Sequence, residues 1–174
     1  SCIVTDANGC QVGDSIEVIQ PDLLLANEIV TDVTCFGFSD GLIDITPTGG
    51  NAPYNFTWLN STYTLSAQTE DLVDFPSDIY QLELRDSLGC LTELFIHLPE
   101  PDPLVLTAET VDVTCAGGTD GSIDVSVTGG NPDYTYLWTN GYTSQDLVNV
   151  PIDEYTVVVT VTKNCIESTT LIIY

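Results

Sequence analysis

The sequence predicts an all-β protein made of tandem sandwich domains, and three observations support this. Apolar residues alternate with polar ones over short runs, turn-forming clusters separate these runs, and the whole pattern returns after about 80 positions. Strict alternation is typical of half-buried strands, and no stretch shows the apolar period of an amphipathic helix. A repeat of this length corresponds to a whole small domain rather than to a solenoid unit.

The predicted strands fall at equivalent places in two complete copies of the repeat. In each copy two alternating runs flank a Gly-Gly-Asn turn, and a third run follows further along the chain. We expect the two tryptophans, which lie in mid-strand, to pack in the cores. The inward-facing positions of the second copy are Ile43, Ile45, Tyr54, Phe56, Trp58, Tyr80, Leu82 and Leu84, and those of the third are Ile123, Val125, Val127, Tyr134, Tyr136, Trp138, Tyr155, Val157, Val159 and Val161.

The repeat offsets divide the chain into domains. Cys35 recurs 80 positions later as Cys115, and Cys90 recurs 75 positions later as Cys165. We therefore place β-sandwich repeats at residues 23–98 and 104–174, with residues 1–20 as the C-terminal hairpin of a preceding, truncated repeat. The sequence is expected to be a segment of a longer protein. Proline-containing links at 20–22 and 99–103 predict short, semi-rigid joints and an extended array of domains with a repeated angle.

Composition excludes several classes of partner. Two Lys and Arg residues stand against 26 Asp and Glu residues, which gives a formal net charge of −24. Nucleic acid binding depends on cationic contacts to phosphate, so it is excluded, and attraction to anionic membrane surfaces is excluded on the same ground. No apolar run is long enough to insert into a membrane.

The sequence offers no catalytic constellation that both copies could share. His97 is the single histidine, so neither a Ser-His-Asp nor a Cys-His set can recur in each repeat. Carboxylate pairs are too numerous to select one from sequence. We therefore expect a protein that is not an enzyme and that has no resident cofactor.

Acidic residues allow two interpretations. The Asp-Gly pairs that begin at Asp40 and Asp120 suit tight turns, in which Asp caps the backbone and Gly adopts positive φ. Calcium ligation is the alternative, because calcium prefers carboxylate and carbonyl oxygens, although no run here has the spacing of a dedicated calcium loop. If calcium binds, we expect it near the inter-domain links, at Asp22, Asp32, Asp102 and Asp112.

Three linked motifs resemble those of a known family. Residues 113–123 read VTCAGGTDGSI, residues 129–138 read GGNPDYTYLW, and residues 4–10 read VTDANGC. Together they resemble the SprB-type repeat of Bacteroidota cell-surface adhesins, and the resemblance covers nearly the whole chain. The third copy departs from the closing motif, because Val161 and Asn164 replace its Asp and Gly.

The resemblance implies a large extracellular protein, located at the cell surface, associated with the outer membrane and exported by the type IX system. In gliding members of the family such proteins mediate adhesion. We expect immunoglobulin-like β-sandwiches that form a non-catalytic stalk, with neighbouring repeats of the same chain as partners. An external surface or glycan would be contacted by a tip outside this sequence. The alternatives are a spacer or a glycan-binding module of a secreted multidomain hydrolase; exposed Trp58 and Trp138 would favour glycan binding.

Cysteine positions predict a bond between domains. In an immunoglobulin-like sandwich, Cys35 after the first strand and Cys165 before the last strand lie at opposite poles of their domains. Stacking the domains end to end would bring them together, whereas a bond within one domain would have to join its two poles. Cys10, Cys90 and Cys115 would then pair with cysteines of neighbouring repeats. Bonds within a domain (Cys35–Cys90 and Cys115–Cys165) and free thiols remain alternatives, and Cys2 has no repeat equivalent.

Two serines are candidate glycosylation sites. Ser15 and Ser87 each follow an aspartate and precede an apolar residue. This arrangement resembles the short O-glycosylation sites of Bacteroidota, and both serines fall in or just after the hairpin around the closing motif.

Overall fold

The chain is a series of antiparallel β-strands with no helix, as a computed structural model that describes all 174 residues shows. No segment forms a helix of the length and apolar character needed to cross a bilayer. The strands are β1 (Cys2–Thr5), β2 (Gln11–Asp14), β3 (Leu25–Thr31), β4 (Gly41–Thr48), β5 (Asn55–Leu59), β6 (Leu72–Phe75), β7 (Asp78–Arg85), β8 (Leu91–Leu98), β9 (Val105–Val111), β10 (Gly121–Thr128), β11 (Thr135–Trp138), β12 (Leu147–Val150), β13 (Asp153–Thr160) and β14 (Ile166–Ile173).

Each complete copy is a sandwich of two three-stranded sheets. In the second copy the sheets have the orders β3-β4-β6 and β5-β7-β8. In the third copy the corresponding orders are β9-β10-β12 and β11-β13-β14. The strands β1 and β2 pair only with each other, and residues 1–20 are exposed throughout. The predicted all-β class, with one β-sandwich in each complete copy, is thus confirmed.

The two sandwiches have separate cores. The inward positions of the long strands β4 and β7 in the second copy, and of β10 and β13 in the third, are buried in strict alternation. A tryptophan lies at the centre of each core: Trp58 is 0% exposed and Trp138 is 2% exposed. Their indole N–H groups donate to the carbonyls of Thr69 and Ser144 at 2.9 and 2.8 Å. The predicted packing of both tryptophans in the core is confirmed.

Two glycines let the residues just before the first strand of each sandwich pack closely against its Gly-Gly-Asn turn. Gly49 and Gly129 adopt φ of 70° and 76°. A Cβ atom at Gly49 would lie 2.0 Å from the Leu23 carbonyl oxygen, and one at Gly129 would lie 1.9 Å from that of Pro103. Only glycine allows this approach, so the turn holds the incoming chain against the top of each sandwich.

Candidate functional site

A disulfide joins the two sandwiches at their junction. Cys35 lies in the loop after β3 of the second copy, and Cys165 lies in the hairpin between β13 and β14 of the third. Their Cα atoms are 5.7 Å apart, although 130 positions separate them in sequence. This is the pairing between successive copies that the sequence predicts, and neither alternative bond within a domain is formed.

The Cys35 loop is held in place by an aspartate. The Asp40 carboxylate accepts hydrogen bonds from the backbone N–H of Thr34, at 2.9 Å, and from the Thr34 hydroxyl. Both bonds lower the pKa of Asp40, and the bond from the hydroxyl has the larger effect. The third copy repeats the arrangement, because Thr114 donates twice to Asp120, at 3.1 and 2.7 Å. The Thr114 bonds likewise lower the pKa of Asp120.

An asparagine of the third copy reaches across the junction. The Asn131 side-chain amide donates to the Thr34 carbonyl at 3.2 Å. The Cys165 sulfur lies 3.3 Å from the same carbonyl oxygen. One backbone carbonyl of the Cys35 loop is therefore contacted by both the Gly-Gly-Asn turn and the closing hairpin of the next domain.

The linker between the sandwiches is bound to both of them. The Pro99 carbonyl accepts from the Val33 N–H at 3.0 Å, and the Glu100 carboxylate accepts from the Gly37 N–H at 2.6 Å. Both donors belong to the second copy. On the other side, the Asp102 carbonyl accepts from the Gly130 N–H of the third copy at 2.8 Å. These bonds fix the linker at both ends.

A crevice of 210 Å³ lies beside the disulfide. Phe36 and Phe38 line its second-copy side and are 55% and 54% exposed. Their equivalents in the third copy are Ala116 and Gly118. The wall that faces them comprises Pro101, Asp102, Pro103, Leu104, Gly130, Cys165, Ile166 and Glu167.

The closing hairpin of the second copy is held by a buried aspartate. Asp86 is 3% exposed and accepts from the backbone N–H groups of Cys90, Leu88 and Asn51 at 2.8, 2.9 and 3.0 Å. Desolvation raises the pKa of Asp86, but these hydrogen bonds outweigh it and keep the pKa below its usual value. In the third copy Val161 takes this place and is buried.

The acidic residues considered for calcium do not converge. Nowhere in the chain do three or more His, Cys, Asp or Glu side chains form a group that could hold a metal ion. Asp112 accepts a hydrogen bond from the Tyr174 N–H at 2.9 Å, and Asp102 belongs to the crevice wall. Asp40 and Asp120 cap the cysteine loops, as the turn interpretation predicts. The predicted positive φ at the glycines that follow them is wrong, because Gly41 and Gly121 are the first residues of strands β4 and β10. Calcium binding at Asp22, Asp32, Asp102 and Asp112 stays a prediction, without a contact that supports it.

The remaining predicted site residues lie on the surface. Cys2, Cys10, Cys90 and Cys115 are free thiols and exposed. Ser15 and Ser87 are exposed as well. The buried tryptophans cannot serve as a platform for sugar rings, so the observation that would have favoured glycan binding is absent.

Sequence reasoning missed the polar contacts of the junction. The Asn131 amide and the Glu100 carboxylate both bond to backbone groups, which leave no mark in a sequence. One signal was present, because the Gly-Gly-Asn triplet keeps its asparagine in both copies. The turn itself requires only the glycines, so the asparagine that recurs in both copies indicates a hydrogen-bond partner outside the turn.

One known family matches a segment of each sandwich. The SprB repeat family matches the chain at residues 27–65 and 107–143, once in each sandwich. Each sandwich therefore contains one segment that is similar to the SprB repeat. SprB repeats are associated with cell-surface proteins and are typically non-catalytic, which fits a structural module of the adhesin type. No curated protein sequence matches the chain at a significant level.

Similar solved structures consist of immunoglobulin domains. A structure described under Dscam isoform specificity is 15% identical, with a TM-score of 0.35, over 89% of this chain and 46% of that one. The N-terminal four Ig domains of Dscam1 isoform 8.4 are 15% identical, with a TM-score of 0.35, over 95% of this chain and 51% of that one. The amphioxus IgVJ-C2 molecule is 13% identical, with a TM-score of 0.32, over 84% of this chain and 95% of that one. The chain spans about half the length of the two Dscam structures.

Proposed function

We propose that these SprB repeats form a non-catalytic stalk segment of a large secreted adhesin or filament at the cell surface. The stalk would carry an adhesive tip away from the cell for attachment or gliding. The observation that carries the proposal is the covalent junction between Cys35 and Cys165. A bond between two separately folded sandwiches adds nothing to either core, but it restrains how far the domains can separate under load.

The contacts around the disulfide support a mechanical role. A linker bound to both domains, an amide across the junction and an aspartate that holds the cysteine loop all act on the same small region. Several directional bonds between two rigid bodies favour one orientation over many. Such a junction would transmit force along the chain while each hydrophobic core stays intact.

The charge of the chain fits an exposed location. A net charge of −24 gives repeats that repel one another side by side and stay soluble at the surface of a cell. A disulfide is also expected outside the cytoplasm, where thiols are not kept reduced. Both features support an extracellular stalk, and neither depends on a bound ligand.

Solution scattering of the oxidised chain tests the proposal. We expect one extended particle whose maximum dimension matches two sandwiches placed end to end with a fixed angle. Reduction of the disulfide should broaden the distribution of distances without loss of β structure, which circular dichroism can monitor. Independent tumbling of the two sandwiches in the oxidised chain would contradict a stalk. On cells of the source organism, antibodies against the repeats should label intact, unpermeabilised cells.

A further inference from the structure

The upper face of the second copy is equivalent by repeat to the wall that receives the Cys35 loop in the third. This face, which we call the acceptor face, comprises Pro21–Leu24, Gly50, Asn51 and Cys90–Thr92. It encloses a crevice of 200 Å³, against 210 Å³ at the junction. Its residues correspond by repeat to Pro101–Leu104, Gly130, Asn131 and Cys165–Glu167. In the third copy this wall is occupied by the preceding domain; in the second copy it is empty.

A buried amide on the acceptor face lacks a partner. The Nδ2 atom of Asn51 is inaccessible to solvent and makes no hydrogen bond. The equivalent Nδ2 of Asn131 donates to the Thr34 carbonyl of the preceding domain. The Asn51 amide lies close enough to the Asp86 carboxylate to help lower the pKa of Asp86. The two groups nevertheless do not meet the distance and angle of a hydrogen bond. A buried donor without an acceptor is costly, so rotation of the Asn51 amide to the surface position that Asn131 takes, where a docking loop can deliver a carbonyl, would be stabilising.

A free thiol lies on the same face. Cys90 is exposed and unpaired, whereas its repeat equivalent Cys165 is bonded to Cys35. The backbone of Cys90 is fixed, because its N–H donates to Asp86 and its carbonyl accepts from the Asp86 N–H. The thiol is therefore held where the third copy holds its bonded cysteine. Amide, crevice and thiol are three separate features that repeat those of the occupied junction.

The opposite end of the chain presents the complementary loop. Thr114 and Cys115 follow β9 as Thr34 and Cys35 follow β3, and Asp120 binds Thr114 as Asp40 binds Thr34. The turns also agree, since the carbonyls of both cysteines accept a backbone N–H three positions on, at 3.0 Å for Cys35 and 2.8 Å for Cys115. Cys115 is exposed and unpaired. This end therefore offers a carbonyl that could accept from Asn51 and a thiol that could bond to Cys90.

We propose that the acceptor face is a docking site for the Thr-Cys loop of another repeat of the same type. Cys90 forms a disulfide with the cysteine of that loop, and Asn51 donates its amide to the carbonyl of the preceding threonine. This inference rests on the proposed stalk and names the partner that extends it. Bond formation removes one proton and one electron from each thiol, and a small-molecule disulfide such as oxidised glutathione accepts them and becomes two thiols.

A trapping experiment on the whole chain tests the docking. Cys2→Ser and Cys10→Ser remove the thiols outside the two faces, and the concentrated protein is oxidised with oxidised glutathione. Peptide mapping without reduction then counts the links between molecules. We expect the Cys90–Cys115 link to exceed Cys90–Cys90 and Cys115–Cys115 by about tenfold or more, since docking raises the effective concentration of one pair only. An excess of about twofold, as random collision gives, would overturn the proposal.

A pair of matched variants tests the amide. Asn51→Ala should slow formation of the Cys90–Cys115 link by about fivefold, the effect of one net hydrogen bond. The control is Asn27→Ala, because Asn27 also donates to a threonine carbonyl at 3.2 Å, but within its own sandwich. Equal rates for the two variants would overturn the role of Asn51.

The two proposals fail separately in these experiments. A chain that scatters as one rigid rod but shows random links would overturn docking and leave the stalk. A chain that forms the Cys90–Cys115 link while its oxidised sandwiches tumble independently would overturn the stalk and leave docking.

Discussion

The side chain of Asn131 donates a hydrogen bond to the carbonyl of Thr34, at 3.2 Å, across the boundary between two sandwiches. Thr34 immediately precedes Cys35, so this amide contacts the loop that carries the disulfide. Its own backbone sits in the Gly-Gly-Asn turn, which also receives the linker through the Gly130 N–H. The turn that contains Asn131 therefore contacts both the linker and the loop that carries Cys35, and it relates the position of one to that of the other.

We expect Asn131→Ala to loosen this junction before the disulfide forms. Removing the amide should slow reoxidation of the Cys35–Cys165 bond in the reduced protein by about fivefold, because one net hydrogen bond contributes about 1 kcal/mol. Quenched alkylation followed by peptide mapping measures the rate. Asn27→Ala, whose amide bonds within the second copy, is the control and should reoxidise at the wild-type rate. An unchanged rate in Asn131→Ala would show that the disulfide alone aligns the domains.

Reduction of the disulfide should separate the unfolding of the two sandwiches. The cores share no residue, so each can melt alone once the bond is open. In the oxidised chain, the bond limits the freedom of the unfolded ensemble and should add about 2–4 kcal/mol to the free energy of unfolding. Calorimetry of wild type and of the double variant Cys35→Ala, Cys165→Ala measures the difference. Cys90→Ala removes an exposed, unpaired thiol and should leave the transition unchanged.

Each core tryptophan reports on its own domain. Trp58→Phe leaves Trp138 as the single indole, and Trp138→Phe leaves Trp58, so the fluorescence of each variant follows one sandwich during urea unfolding. Replacement by alanine is more severe: a buried tryptophan truncated to alanine costs about 3–5 kcal/mol, which approaches the whole stability of a small domain. We expect Trp58→Ala to unfold the second copy and to leave the Trp138 signal folded. Loss of the Trp138 signal in Trp58→Ala would mean that the sandwiches fold as one unit.

The long strands were predictable because their residues obey one simple rule. In each of β4, β7, β10 and β13 three alternate positions are buried and hold glycine or a hydrophobic residue, so alternation alone indicates strand and face. The same rule fails at the short strands β6 and β12. Asp74 and Asn149 adopt φ of 63° and 58° there, and the register with the neighbouring strand shifts. A bulged strand of four residues shows too little alternation to be recognised.

At the junction, only the chemistry of cysteine could be read from the sequence. Cys35 and Cys165 carry a reactive group whose reach is known, so the fold and the repeat together predict their meeting. The Thr34 and Pro99 carbonyls have no residue signature, since every residue carries the same group. Asp86 was similarly hidden, because an aspartate that is buried to bind backbone N–H groups looks in sequence like any surface acid.

Glycosylation at Ser15 and Ser87 can be examined directly. Both serines are exposed, so a transferase could reach either hydroxyl. We expect material purified from its native source to exceed the sequence mass by whole sugar units, with fragment ions that place them on these serines. Ser15→Ala and Ser87→Ala should each remove one increment. A native mass equal to that of the sequence would contradict the prediction.

Acid should weaken the cysteine loops, and the direction follows from the Asp120 carboxylate. Hydrogen bonds from Thr114 lower the pKa of Asp120 below its ordinary value of 3.8. A lowered pKa in the folded state gives stability that is present above the unfolded pKa and is lost as pH falls through the folded one. We therefore expect the loop to hold its position at neutral pH and to loosen below about pH 4.

Thr114→Val removes the hydroxyl donor, so the pKa of Asp120 in a carbon-13 NMR titration should rise toward 3.8. Thr110→Val, a change of the same type in β9 away from this loop, is the control and should leave the Asp120 titration in place. An Asp120 pKa that stays equally low in Thr114→Val would mean that the hydroxyl does not hold the carboxylate, and that the backbone N–H of Thr114 suffices to fix the loop.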